Sequence, residues 1–475
     1  MLGTMERQAG VAGWIATELD GLVAAATGLM REPVIRLGVT GLSRAGKTVF
    51  ITNLVANLLE RGRMPQLSAE RGGRIQAVYL QPQPDLTLPR FAYEDHLAAM
   101  TGDDPRWPQS TRAVSELRLS FRTRPLGWIG SMAGPRVLHV DIVDYPGEWL
   151  LDLALLDKSY EDWSEAVLSR IANRPEAQAF MALARAEDGA LRMDEPRAMA
   201  LAEAFTAYLQ AARAAGWADC TPGRFLLPGD LAGSPVLTFA PLPRPAQVGR
   251  GCLWAEMARR YDGYRARVVR PFFRDHFARI DRQVVLVDVL GAIHQGPRAV
   301  EDLRRTMAEV LGAFRPGRSG WLDRLLGGRR VEKILFAATK ADHLHHVQHP
   351  RLTAIMEAML RDARSRADFA GAETAALSLA SLRCTIEEEI ARDGRVLEAV
   401  RGRLPDGRQV AMYAGELPSD PARLLAPARE GAERWLEADY AMMDFAPARG
   451  ARRPGEGPPH IRLDRAAEFL IGDRL

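Results

Sequence analysis

The stretch "GLSRAGKTVF" (41–50) carries the spacing G-x-x-x-x-G-K-[ST] at Gly41, Gly46, Lys47 and Thr48. Glycines at those places let a loop wrap a phosphate closely, so that backbone N–H groups and the N-terminus of a following helix point at its oxygens. In that pattern Lys47 neutralises the β/γ oxygens and Thr48 holds Mg2+, while Ser43, Arg44, Ala45 and Val49 complete the expected cradle. The lysine stands out in this chain. Lysines occur only at 47, 158, 333 and 340 among 63 basic side chains. A chain that uses arginine almost everywhere else keeps lysine where a compact ammonium on a flexible stem is needed. The apolar run "VIRLGVT" (34–40) before the motif and the helical pattern "VFITNLVANLLE" (49–60) after it predict strand, loop and helix.

The next long apolar run, "RVLHVDIVDYPGEW" (136–149), ends in a D-x-x-G at Asp144 and Gly147. A carboxylate at the end of a parallel strand beside a phosphate loop can enter the Mg2+ shell, and the glycine N–H can sense a γ-phosphate. A third motif closes "KILFAATKADHLHH" (333–346) with Thr339, Lys340 and Asp342, an [NT]-K-x-D. A carboxylate at Asp342 accepts both the N1 proton and the N2 amine of guanine, whereas adenine offers neither donor there. Lys340 can lay its stem over the base. The motif therefore predicts GTP/GDP as ligand, with Thr339 in the place of the usual asparagine weakening one base contact.

The order of these motifs resembles the Ras-like GTPases, and "DIVDYPG" is similar to the D-I-L-D-T-A-G of small GTPases. The combination of "GLSRAGKTVF", "WPQSTR", "VDIVDYPGEWLLDL", "TKADH" and the terminal "IRLDRAAEFLIGDRL" resembles the YcjX-like family of bacterial P-loop GTPases over most of the chain. The resemblance implies a cytoplasmic GTPase with a helical insertion, linked to envelope stress through an inner-membrane neighbour. A Ras-like switch would place a Mg2+-binding threonine before the second strand, at Thr111 or else Ser110 in "WPQSTR", although a simple element cap reads equally well there. The guanine-proximal loop would fall at Ala380 and Ser381. Catalysis is assigned to Lys47, Thr111 and Glu148. Glu148 stands where small GTPases carry a water-orienting glutamine, so it either positions water or is a solvated side chain. Arg44 is either an internal charge on the phosphates or, the favoured reading, a solvent or loop contact. Without a glutamine, turnover should be slow, on the order of 10⁻⁴ to 10⁻² per second. Two alternatives stay open: an ATPase or kinase of the P-loop class, and a nucleotide-stabilised scaffold that does not hydrolyse.

These residues need an α/β frame. Strands are predicted at 34–40, 76–81, 114–123, 136–143, 284–290, 333–339 and 374–380, giving a Ras-like mixed sheet flanked by helices. About 130 residues separate the D-x-x-G from the next strand, far beyond an ordinary crossover, and their apolar spacing of three and four predicts inserted helices. The expected divisions are an N-terminal amphipathic helix (1–30), a P-loop GTPase domain in two parts (31–150 and 281–383), a helical insertion (151–280) that would meet a protein effector, and a C-terminal α+β extension (384–475). Within the insertion, the Pro/Gly-rich apolar stretch 221–243 reads as a loop docked on the body, or less readily as a cover for nucleotide or partner. A P-D-G in 396–417 predicts a hairpin.

Composition sets limits. At 475 residues and 47% hydrophobic the chain can bury several cores. A formal charge of +3 gives no general case for nucleic acid. Cys220, Cys252 and Cys384 form no CxxC pair, which suits a reducing compartment. No run of 18 apolar residues or secretory signal is visible. The arginine-rich "RPGRSGWLDRLLGGRR" (315–330) is ordinarily a solvated surface, and it is also the candidate for reversible contact with an anionic membrane.

Overall fold

The computed structural model describes residues 32–41, 45–109, 113–124, 135–312, 331–369, 371–392, 394–436, 439–450, 453 and 455–475. The predicted N-terminal helix, Ser43, Arg44, Ser110, Thr111 and the stretch 315–330 lie outside them. Seven strands form one mixed sheet in the order β2-β3-β4-β1-β5-β6-β7. They are β1 (Val34–Gly41), β2 (Ile75–Gln81), β3 (Ser115–Thr123), β4 (Arg136–Asp144), β5 (Arg282–Val287), β6 (Lys333–Ala338) and β7 (Glu373–Ser378). β4, β1, β5, β6 and β7 run parallel, and β2 and β3 are antiparallel at one edge. β5 is buried at every position and β1, β4 and β6 at most of theirs. Their Val/Ile/Leu-rich runs suit strands covered on both faces.

Register brings the carboxyl ends of the parallel strands level. Val39 lies opposite Asp144, Gly41 opposite Leu286, Val287 opposite Ala338, and Ala338 opposite Ser378. The crevice beyond those ends is where open α/β sheets bind ligands.

Helix α1 (Lys47–Glu60) follows β1 through Gly46, whose φ of 82° is left-handed and favours glycine. Ile51, Leu54 and Leu58 share a core with Ile35, Leu37 and Val39 of β1. Asn53 and Asn57 are fully buried as well, and the cause is distant in sequence: the Asn57 amide donates to Asn53 O and to Pro458 O. The C-terminal chain thus packs on α1 at Asn57. Its last helix, whose Leu463, Ala466, Ala467 and Leu470 enter the same core, is anchored by Arg282, which donates to Leu470 O, Glu332 and Asp473.

Between β4 and β5 the chain is helical. It includes α2 (Gly147–Leu151), α3 (Tyr160–Ile171), α4 (Glu195–Ala214), α5 (Gly223–Leu226) and α6 (Leu253–Tyr264). Ser159 and Asp194 cap α3 and α4 by accepting from Asp162 N and Arg197 N. The core of this region is aromatic: Trp163 stacks on Tyr261 with centroids 5.0 Å apart, and Phe205 and Phe239 meet it edge-on. The 221–243 stretch is docked rather than open, with Phe225, Phe239, Ala240 and Leu242 buried.

Two sequence expectations need correction. The strand expected at 284–290 spans Arg282–Val287, because the Asp288 carboxylate accepts from Gly291 N and starts α7 (Val289–Gln295). A strand absent from the expectation, β8 (Thr385–Arg392), pairs with β9 (Arg395–Arg403), which pairs with β10 (Gln409–Met412). The P-D-G hairpin is the β9–β10 turn, with Gly407 at φ 91°. Further helices, α8 (Pro297–Gly312) and α9 (His349–Phe369), flank β6, and α10 (Leu463–Ile471) is the C-terminal helix named above. Among the described residues no helix is long and apolar enough to cross a membrane.

Candidate functional site

A cavity of about 320 Å³ opens beyond the carboxyl ends of the strands. From the first motif it is lined by Ala45, Gly46, Lys47, Thr48 and Val49, from the third by Thr339, Lys340 and Asp342, and from the loop after β7 by Ala380 and Ser381. Glu148 joins from the second motif. Motifs some 300 residues apart therefore share one wall because the sheet register places their strand ends side by side.

At the phosphate-loop end, Lys47 Nζ donates to Gly41 O at 2.9 Å. Gly147 abuts both groups: a Cβ there would stand 1.9 Å from Gly41 O and 3.1 Å from Lys47 Nζ. Only a glycine permits that approach. Thr48 and Asp144 are buried, at the start of α1 and the end of β4. Their hydroxyl and carboxylate oxygens are hard donors of the kind Mg2+ accepts, so this donor set fits that ion.

At the other end, Asp342 is 4% exposed and its Oδ2 accepts from Cys384 N at 2.9 Å. The Thr339 hydroxyl donates to Val287 O at 3.4 Å. Lys340 has a left-handed backbone (φ 60°), and its Nζ pairs with Asp288 Oδ2 at 2.5 Å. His343 lies edge-on to Phe445, 5.2 Å between centroids, and burial pulls its pKa down, keeping it neutral. Trp107 Nε1 donates to Phe445 O at 2.8 Å, so the "WPQ" segment and the C-terminal segment close the same wall.

The profile of the YcjX-like family (DUF463) matches residues 35–475. The chain belongs to the YcjX-like family. It is similar to the Ras-like GTPase YcjX of Escherichia coli K12, 38% identical over 456 residues that cover 93% of this chain and 96% of that protein. It is also similar to the Ras-like GTPase YcjX of Shewanella oneidensis, 34% identical over 467 residues that cover 93% and 94%. The membership drawn from the motifs is thus borne out, and the fold is the expected Ras-like α/β sheet with a helical insertion and a C-terminal α+β extension.

In this YcjX-like chain Glu148 is not a solvated side chain. It is 6% exposed, and its Oε1 lies 2.6 Å from Arg213 Nη2 of α4. Helix α2 is buried throughout. Trp149 Nε1 donates to Leu227 O at 3.2 Å, and the Arg224 guanidinium sits 3.3 Å above its ring. Asp152 accepts from Gly223 N at 2.7 Å and from the Tyr264 hydroxyl; burial nevertheless pushes its pKa up to about 6. Residues that sequence reasoning did not assign to the site are Arg213, Asp288, Trp107, Asp444 and Phe445. The Asp288 signal was present as a lone carboxylate in an apolar run. Arg213 left no local signal, since it reaches the cavity from a helix 65 residues beyond Glu148.

Proposed function

We propose that the chain binds a guanine nucleotide with Mg2+ in this cavity, hydrolyses GTP slowly to GDP and phosphate, and serves as a nucleotide-dependent switch. The observation that carries the reading is one cavity lined by both Lys47 and the buried Asp342. The names of the two relatives, Ras-like GTPases, support the same assignment. The expected guanine-binding residues are Thr339, Lys340, Asp342, Ala380 and Ser381, and the expected phosphate-binding residues are Gly41, Ser43, Arg44, Ala45, Gly46, Lys47, Thr48, Val49 and Gly147. Thr48, Asp144 and Thr111 would hold Mg2+, which when bound neutralises phosphate charge.

In hydrolysis, a water oxygen bonds to the γ-phosphorus as the bond to the β,γ-bridging oxygen breaks. The electron pair stays with GDP, and the water proton leaves with the phosphate. Lys47 carries developing charge through its ammonium, and the Gly147 N–H reports the γ-phosphate. Because α2 runs from Gly147 into the aromatic core of the helical insertion, a shift at Gly147 would reach that region directly. The insertion (151–280) is accordingly proposed as the effector surface, set between the two parts of the GTPase domain (31–150 and 281–383), with 1–30 and 384–475 as terminal additions. A cytoplasmic place peripheral to the inner membrane, a membrane-protein partner and a role in envelope stress rest on the family resemblance. No nucleic-acid partner is proposed.

Calorimetry with GDP and ADP in Mg2+ tests this. Two guanine N–H groups on a carboxylate contribute about 1.5–3 kcal/mol each, so Asp342→Ala should weaken GDP by roughly 10² to 10⁴ and leave ADP unchanged. Equal binding of ADP by the parent would select the ATPase reading, and binding of neither would end both. Single-turnover hydrolysis then separates an enzyme from a scaffold.

A further inference from the structure

Arg213 is the contribution of the helical insertion to the nucleotide cavity, and nothing in the motifs accounts for it. It sits in the last turn of α4, lines the cavity together with Lys47 and Thr48, and is paired with Glu148, the residue directly after the D-x-x-G glycine. Among the described residues, the other cations lining the cavity are Lys47 and Lys340, which come from the phosphate-loop and T-K-x-D motifs.

The turn that presents Arg213 is braced from behind. Trp217 N donates to Ala212 O at 3.0 Å, and the Arg174 guanidinium covers the Trp217 ring at 3.8 Å. Arg174 also forks onto both oxygens of Asp219 at 2.7 and 3.0 Å, and Asp302 of α8 accepts from Ala218 N. A side chain on such a support is pre-organised rather than searching. Its guanidinium is a planar fork of N–H donors that matches phosphate oxygens, and the Glu148 pair fixes where that fork stands on the cavity wall.

We infer that Arg213 is a catalytic arginine supplied in cis, contacting the γ-phosphate of GTP, and that Glu148 is the positioning residue that aims it. This rests on the GTPase reading above. The step needs no new co-reactant: Arg213 neutralises charge on the transferring phosphoryl and on the bridging oxygen as water attacks, and transfers no proton. An arginine in this role is worth about 10³ to 10⁵ in rate where it has been removed from other nucleotide hydrolases. The position also explains how a chain without a glutamine after D-x-x-G would hydrolyse GTP unaided.

The test compares the parent with Arg213→Ala, Arg213→Lys and Glu148→Gln, by single-turnover GTP hydrolysis, GDP calorimetry and retention of GDP with aluminium fluoride. Arg213→Ala should lower hydrolysis by at least about 10²-fold while GDP affinity stays within about threefold. It should lose the aluminium fluoride complex and regain part of its rate with added guanidinium ion at millimolar concentration. Arg213→Lys should not restore the rate, since an ammonium lacks the fork. Glu148→Gln should fall less far than Arg213→Ala. Hydrolysis by Arg213→Ala within about threefold of the parent would overturn the inference while leaving the nucleotide assignment intact. So would a lowered rate that guanidinium does not restore, accompanied by a lower melting temperature, because that pattern marks a structural clasp. A parent protein that binds no guanine nucleotide would overturn the underlying reading, and this one with it.

Discussion

Replacing Gly223 with alanine should damage both stability and hydrolysis from a position outside the cavity. Gly223 opens α5 against the backbone of Glu148: a Cβ there would lie 2.0 Å from Glu148 O and 2.4 Å from its carbonyl carbon. A carbon meets a carbonyl oxygen no closer than about 3.3 Å without strain, so the two segments must part by more than about 1 Å. Overpacking of that kind costs about 1–3 kcal/mol. Parting also stretches the 2.7 Å bond from Gly223 N to Asp152, and a buried carboxylate that loses a donor costs about 1–3 kcal/mol more. The expected loss is about 3 kcal/mol by chemical denaturation. Hydrolysis should fall as well, because Glu148 moves with its carbonyl. The internal control is Gly263→Ala in α6, where no atom lies within 4 Å of the new Cβ and the helix should gain about 0.5–1 kcal/mol. A Gly223→Ala protein within about 0.5 kcal/mol of the parent would refute the steric argument.

Burial of the Asp152 carboxyl predicts a pH effect. Its pKa rises from 3.8 to about 6 on folding, so the stabilisation it supplies is complete below pH 3.8 and lost as pH rises through 6. Asp152→Asn should therefore gain on the parent between about pH 4 and 7 by up to about 3 kcal/mol, and parallel stability curves would contradict this. Asp288→Asn removes the charge that holds Lys340 at 2.5 Å while keeping an oxygen for Gly291 N. GDP affinity should fall about tenfold by calorimetry; an unchanged value would mean that the Lys340 stem does not cover the base.

Much of the fold was legible because each motif carries its own strand. Phosphate loop, D-x-x-G and T-K-x-D are local spacings, each preceded by an apolar run long enough to name its element. What stayed hidden depends on partners far along the chain. Asn53 and Asn57 are polar residues of α1, yet both are buried, with Met100 beside Asn53 and Pro458 beside Asn57. β8 holds three consecutive glutamates and resembles a solvated segment; Glu388 is matched across the strand by Arg401 at 2.7 and 2.9 Å. Arg213 and Phe445 reach the cavity only through tertiary packing, which no spacing rule can report. The boundary at Val287 shows the converse, since a capping aspartate within an apolar run converts strand into helix in one residue.

The cover that the C-terminal chain lays over α1 bears on how the protein is made. Asn57 and Pro458 are 401 positions apart, and Arg74 reaches the carbonyl of Leu475 itself. At about 5–20 residues per second, the ribosome delivers that cover roughly 20 to 80 s after α1 has emerged. Throughout that interval the Asn57 side of the phosphate-loop helix lacks its C-terminal cover, and a chain stopped early would keep that amide bare. Birth of this protein therefore includes a window of exposure that closes only when the segment around Pro458 arrives.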